Sequence, residues 1–91
     1  MNADFTTDEL QFEIEVQEFL QNDFPAEYRE KVDAGIRLSK NELVRWQKIL
    51  YKKGWAAPTW PAEHGGTGWT ATQKHIFATE MALIGAPEPV P

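Results

Sequence analysis

Residues 54–68 read Gly-Trp-Ala-Ala-Pro-Thr-Trp-Pro-Ala-Glu-His-Gly-Gly-Thr-Gly. The stretch holds four of the six glycines, two of the six prolines and two of the four tryptophans, a mixture that no continuous helix carries. Pro58 and Pro61 fix φ and push Ala57 and Trp60 into extended backbone. Gly65, Gly66 and Gly68 permit backbone angles that other residues avoid. Two tryptophans are out of place in a plain solvent loop, because each ring can hide roughly 150–250 Å². The stretch therefore reads as an ordered connector, pinned by burying Trp55 and Trp60, on which two helical units lock together.

Outward from the connector, the helices announce themselves by their ends. Upstream, Ser39-Lys40-Asn41-Glu42 is a capping box, with Leu38 and Leu43 placed as its hydrophobic staple. The helix it opens runs to Lys53 and stops at Gly54, with Lys52 and Lys53 at the negative end of its dipole. Leu43, Trp46, Ile49 and Leu50 form its apolar side. Arg45, Lys48 and Lys52 form a cationic side, read as a solvated face that offsets nearby acids rather than as a phosphate site. Downstream, Thr70-Ala71-Thr72-Gln73 opens another helix, which ends at Gly85. Beyond it, Ala86-Pro87-Glu88-Pro89-Val90-Pro91 cannot continue a helix. The chain stops inside this extended segment, which reads as a fragment of something longer.

At the N-terminus, Thr6-Thr7-Asp8-Glu9 is a further capping box, with Phe5 and Leu10 as staple. Phe12, Val16, Phe19 and Leu20 follow at helical spacing. Leu10, Phe12, Ile14 and Val16 also alternate as a strand would. The cap, the Glu and Gln content and the Phe19-Leu20 pair decide for helix. Leu10 and Ile14 are left on its back, as peripheral apolar side chains or a second contact surface. This helix ends at residues 22–24. Pro25 then starts a short polar helix from Ala26 to about Ala34, anchored by Tyr28 and Val32 and closed by Gly35.

The totals agree with one small all-α unit. With 91 residues the chain is one domain, burying roughly 60–65% of its unfolded surface. It is 42% hydrophobic and 25% charged, too apolar for disorder. A net charge of −5 argues against nucleic-acid or anionic-membrane binding. With no cysteine there is no disulfide and no thiolate metal site. Residues 1–4 lack the basic-then-apolar pattern of a signal peptide, and no apolar run approaches a membrane span, so the expected location is cytoplasmic.

Chemistry-bearing patterns are few. On the last helix Ile76, Phe77, Met81, Leu83 and Ile84 share a face in which Gln73 and Glu80 also fall. A carboxylate in an apolar stripe needs a partner or a proton. Glu80 therefore either meets a neighbouring backbone group or lysine, or lines a polar spot in a cavity or interface with Gln73. Glu63-His64 are adjacent on a loop, which does not make an acid/base pair. His64, His75, Glu63 and Glu80 lack metal spacing. The Gly65-Gly66-Thr67-Gly68 turn lacks the Lys-Ser/Thr of a phosphate loop, and no strand precedes it.

Certain runs resemble a known family: Gly54-Trp55-Ala56-Ala57-Pro58, Trp60-Pro61-Ala62-Glu63-His64-Gly65-Gly66-Thr67-Gly68-Trp69, Ile76-Phe77, Glu80-Met81 and Gly85-Ala86-Pro87. Together they are similar to the N-terminal helical domain of acyl-CoA dehydrogenases, and within it to a bacterial branch that includes pimeloyl-CoA dehydrogenase large-subunit-like proteins. The resemblance covers essentially all of residues 1–91 and is generic before Gly54. It implies a FAD flavoprotein of fatty acid metabolism, in which a carboxylate takes the α proton of an acyl-CoA thioester while FAD takes the β hydride. It also implies acyl-CoA as substrate, an electron-transfer acceptor as partner, and a homo-oligomer completed by a middle β-barrel and a C-terminal helical domain. The catalytic glutamate and the flavin-binding segment have no counterpart in these residues, so FAD is not expected on this chain alone. Glu80 falls on a glutamate common in the family; Met81, Ile84 and Pro87 join it as the expected wall of the acyl pocket. The competing expectation is a non-enzymatic helical module that docks on a full-length homologue.

Overall fold

A computed structural model of the chain describes residues 5–89; the readings of residues 1–4 and of Val90 and Pro91 lie outside the described residues. Four α-helices follow in order: α1 (Thr7–Asp23), α2 (Ala26–Asp33), α3 (Lys40–Lys53) and α4 (Ala71–Ile84). One 3-10 turn, Ala62–His64, interrupts the connector between α3 and α4. No strand occurs among the described residues.

Each expected capping box is present. Thr6, Ser39 and Thr70 accept from the backbone N–H three residues on, while Glu9, Glu42 and Gln73 reach back to the cap N–H. The reciprocal bonds satisfy donors that the helices leave free at their first turns. They fix where α1, α3 and α4 begin through bonds that span only three residues. Residues 10–16 are helical, so local capping outweighs the alternating pattern there.

The backbone extends 36 × 32 × 17 Å, so the thinnest direction holds about two packed helices. The core is correspondingly thin and largely aromatic. One cluster joins Phe12, Trp55, Trp69 and Phe77, with ring centroids 5.0–6.0 Å apart. A second joins Trp46 to Phe24 at 4.8 Å, and Phe24 to Tyr28 at 6.1 Å. Phe19 links the two, 4.9 Å from Trp55 and 5.9 Å from Trp46. Val16 and Leu50 are fully buried between them. Most contacts are edge-on or tilted, the geometry that ring quadrupoles favour.

Three expected core positions are corrected. Trp60 is 45% exposed, because the place beside Trp55 is taken by Trp69. Leu43 is 42% exposed; its neighbours Ile36, Leu38 and Pro87 only partly cover it in a surface cleft. Leu83 is 71% exposed, and at about 100° per residue it points nearly opposite Met81. Ile14, on the back of α1, is also exposed. Of the expected cationic side of α3, Arg45 meets an acid, while Lys48 and Lys52 pair with none among the described residues. Arg45 lies 3.3 Å from Glu27, and Lys53, at the end of the helix, 3.5 Å from Glu15 while covering the Trp55 ring.

Candidate functional site

The connector is rigid where its backbone crosses itself. Trp60 N–H donates to the Ala57 carbonyl at 3.2 Å, and Thr67 Oγ1 donates to the Pro58 carbonyl at 3.1 Å. Gly66 lies so close to the Trp60 carbonyl group that a Cβ there would overlap it. These contacts fold residues 57–67 into a tight loop and place Pro58 and Thr59 opposite α4.

From there α4 runs along α1, the helix pair in most extensive backbone contact among the described residues. Its inward residues are Ile76, Phe77 and Met81, all buried, with Gln73, Glu80 and Ile84 half-buried beside them. The polar pair thus sits at the border of the apolar face. Among the described residues the half-buried Glu80 makes no hydrogen bond or ion pair, so α1, α2 and α3 supply it no partner.

A cleft of about 180 Å³ opens between the connector, α4 and the segment that leaves α4. Pro58 and Thr59 form one part of its lining; Phe77, Ala78 and Met81 form another; Pro89 closes it. Lys74 and Glu88 are its charged groups, and they form no ion pair with each other. On the other side of the departing segment, a second cleft of about 330 Å³ is bounded by Pro87, Gly85, Leu38, Leu43 and the α2–α3 loop.

The four expected pocket residues divide between these places. Met81 reaches the first cleft and Pro87 the second, Ile84 packs on the core, and Glu80 lines neither. Pro58, Lys74 and Pro89 were not expected in a pocket from the sequence. Nor was the bond that organises the departing segment, in which Trp46 Nε1 donates to the Pro87 carbonyl at 2.9 Å. The signal for it was a tryptophan on the inner face of α3, whose N–H must find an acceptor once buried. The acceptor, 41 residues away, carries no local mark.

The remaining titratable groups do not converge. His64 Nε2 lies 3.9 Å from Glu63 Oε1, both well exposed on the 3-10 turn. No group of three or more His, Asp or Glu side chains among the described residues is placed to hold a metal ion. The strongest electrostatic coupling joins α2 to the start of α3. Lys31 Nζ donates to Glu42 Oε2, and Ser39 N–H donates to Glu42 Oε1. The Lys31 bond, reinforced by the Ser39 backbone bond, holds the Glu42 carboxyl below the usual carboxylate range. The same Glu42 bond raises Lys31 above the ordinary lysine value.

Comparison with known proteins gives this helical frame its relatives. The family model for the acyl-CoA dehydrogenase N-terminal domain matches residues 6–90. Acyl-CoA dehydrogenase FadE26 of Mycobacterium tuberculosis is 47% identical over 38 residues, 42% of this chain. That match spans 10% of the relative's length. No solved structure matches. With the family model covering nearly every residue and the described fold all-helical, the chain belongs to the acyl-CoA dehydrogenases, as their N-terminal domain.

Proposed function

We propose that the chain is the N-terminal helical part of a FAD-dependent enzyme that dehydrogenates acyl-CoA thioesters across the α,β bond. Its own task is to wall the acyl end of the substrate pocket with α4 and the segment beyond it, through Glu80, Met81, Ile84 and Pro87. The family match over residues 6–90 is the observation that carries the reading. The half-buried, unpaired Glu80 supports it, since such a side chain fits a boundary that further polypeptide or substrate completes. So does the apolar cleft beside Met81.

The residues present do not fit the flavin. A diphosphate calls for clustered cations or convergent backbone N–H groups. The described cleft with two lysines, Lys52 and Lys53, also holds Asp23, and Lys53 is committed to Glu15. Binding of FAD and the chemical step are therefore assigned to polypeptide outside these residues.

The test compares two preparations. The purified 91-residue chain, incubated with FAD, is expected to retain no flavin and to reduce no dye with acyl-CoA. Material isolated from the native cell through this chain is expected to bring FAD with it and to reduce the dye. Stoichiometric flavin and activity on the short chain would overturn the division of labour. Native material with neither would overturn the dehydrogenase reading and leave a helical docking module.

A further inference from the structure

We infer that Trp46 is a positioning residue for the segment that leaves α4, and that through it the chain selects acyl length at the cleft beside Met81. The inference rests on the functional reading above and adds a residue that reading does not contain.

Residues 85–89 turn away from α4 at Gly85, whose φ is +71° and whose Hα side faces Val32 so closely that a Cβ would overlap it. Ala86 is buried, and its N–H donates to the Met81 carbonyl at 3.0 Å. Pro87 and Pro89 have no N–H to give. Among the described residues, the bond from Trp46 Nε1 to the Pro87 carbonyl is then the hydrogen bond that fixes residues 87–89. The donor is itself immobile. Trp46 is 1% exposed, stacked on Phe19 and edge-on to Phe24. A rigid donor on a packed ring holds a carbonyl in one place far better than a solvent-facing side chain could.

What it holds is a wall. Glu88 and Pro89 close the cleft whose floor is Phe77, Ala78 and Met81. The cleft's volume, about 180 Å³, is a little above the 150 Å³ or so of an apolar cavity that takes benzene. It has room for the far end of an acyl chain and not for the whole of it. A loosened wall must be ordered again by each chain that reaches it, at a cost in binding. Chains too short to reach it pay nothing.

Trp46→Phe keeps an aromatic ring in the core and removes the donor. In the intact dehydrogenase that carries this chain, kcat and KM are measured for acyl-CoAs of increasing length. The expected result is a KM raised about five-fold for long chains, the scale of one lost hydrogen bond, with short chains and kcat unchanged. A change that is uniform over chain length, or no change, overturns the inference. Should Trp46→Phe fail to fold by circular dichroism, Gly85→Ala loosens the same segment from the α4 end and must give the same length dependence. Indole proton exchange checks the bond directly. The resonance lost in Trp46→Phe should exchange far more slowly in the unmodified protein than that of the half-exposed Trp60; equal rates overturn the bond. Unmodified protein that oxidises no acyl-CoA overturns the functional reading and the length selection with it. The indole measurement then still separates that failure from failure of the bond.

Discussion

Trp55 and Trp60 stand five residues apart in one connector and work in opposite ways. Trp55 is 7% exposed and meets Phe12, Phe19, Trp69 and Phe77. Its ring is the hub between α1 and α4. Trp60 is 45% exposed, and its backbone is tied down: its carbonyl faces Gly66 and its N–H is bonded to the Ala57 carbonyl. The first tryptophan stabilises through side-chain burial. At the second position the stability comes from the crossing of two backbone segments, and the indole is incidental to it. The same residue type in the same loop therefore predicts nothing until its surroundings are known.

The largest test of that contrast is Trp55→Ala. Removing a buried aromatic hub costs about 3–5 kcal/mol, a sum comparable with the whole stability of many small domains. Loss of the helical circular dichroism signal at room temperature, or a severely lowered urea midpoint, is expected. A midpoint near that of the unmodified chain would contradict the hub assignment. Gly66→Ala comes next. Its new methyl has nowhere to go except into the Trp60 carbonyl group, so the loop must open at a cost of about 1–3 kcal/mol. Because α1 and α3 begin with their own caps, the helical signal should survive while the urea midpoint falls.

How far the sequence revealed this follows from the range of each interaction. The three capping boxes and the glycine stops at Gly54 and Gly85 close within a few residues, so helix identity and boundaries were legible along the chain. The burial of Trp55 was legible as well, but that of Trp60 was misjudged, since Trp69 competes for the same place and pattern alone does not rank them. Leu43 and Leu83 follow the same rule: helical spacing gives a direction, and a neighbour must be present in that direction to bury them. Glu80 was visible as an anomaly, and its half-buried position on α4 keeps it one. The cleft between Pro58, Met81 and Pro89, and the Trp46 bond that shapes it, join segments far apart in sequence.

Smaller effects sharpen the contrast from the solvent side. Trp60→Ala removes a half-exposed ring and leaves the Gly66 crossing intact, so a loss of no more than about 0.5–1 kcal/mol is expected, well below that of Gly66→Ala. A larger loss than Gly66→Ala would return the connector's stability to its second indole.

The smallest expected effect is electrostatic and changes with pH. Glu42→Gln keeps the capping box of α3, as Gln73 does for α4, and removes only the charge that Lys31 meets. In the folded chain Glu42 titrates below the usual carboxylate range, so there it binds fewer protons than in the unfolded chain. Its ionised form therefore adds stability above the unfolded value, which is lost as pH falls through the folded one. Lys31 is raised, so its part is present at neutral pH and is lost only as pH climbs through its folded value. The variant should thus have a slightly lower urea midpoint at neutral pH, with the gap closing in acid once the Glu42 carboxyl is protonated in the unmodified chain. A gap that persists in acid would show that the cap, and not the charge, was disturbed, and that the polar contacts of this surface owe as much to local geometry as the Gly66 crossing does.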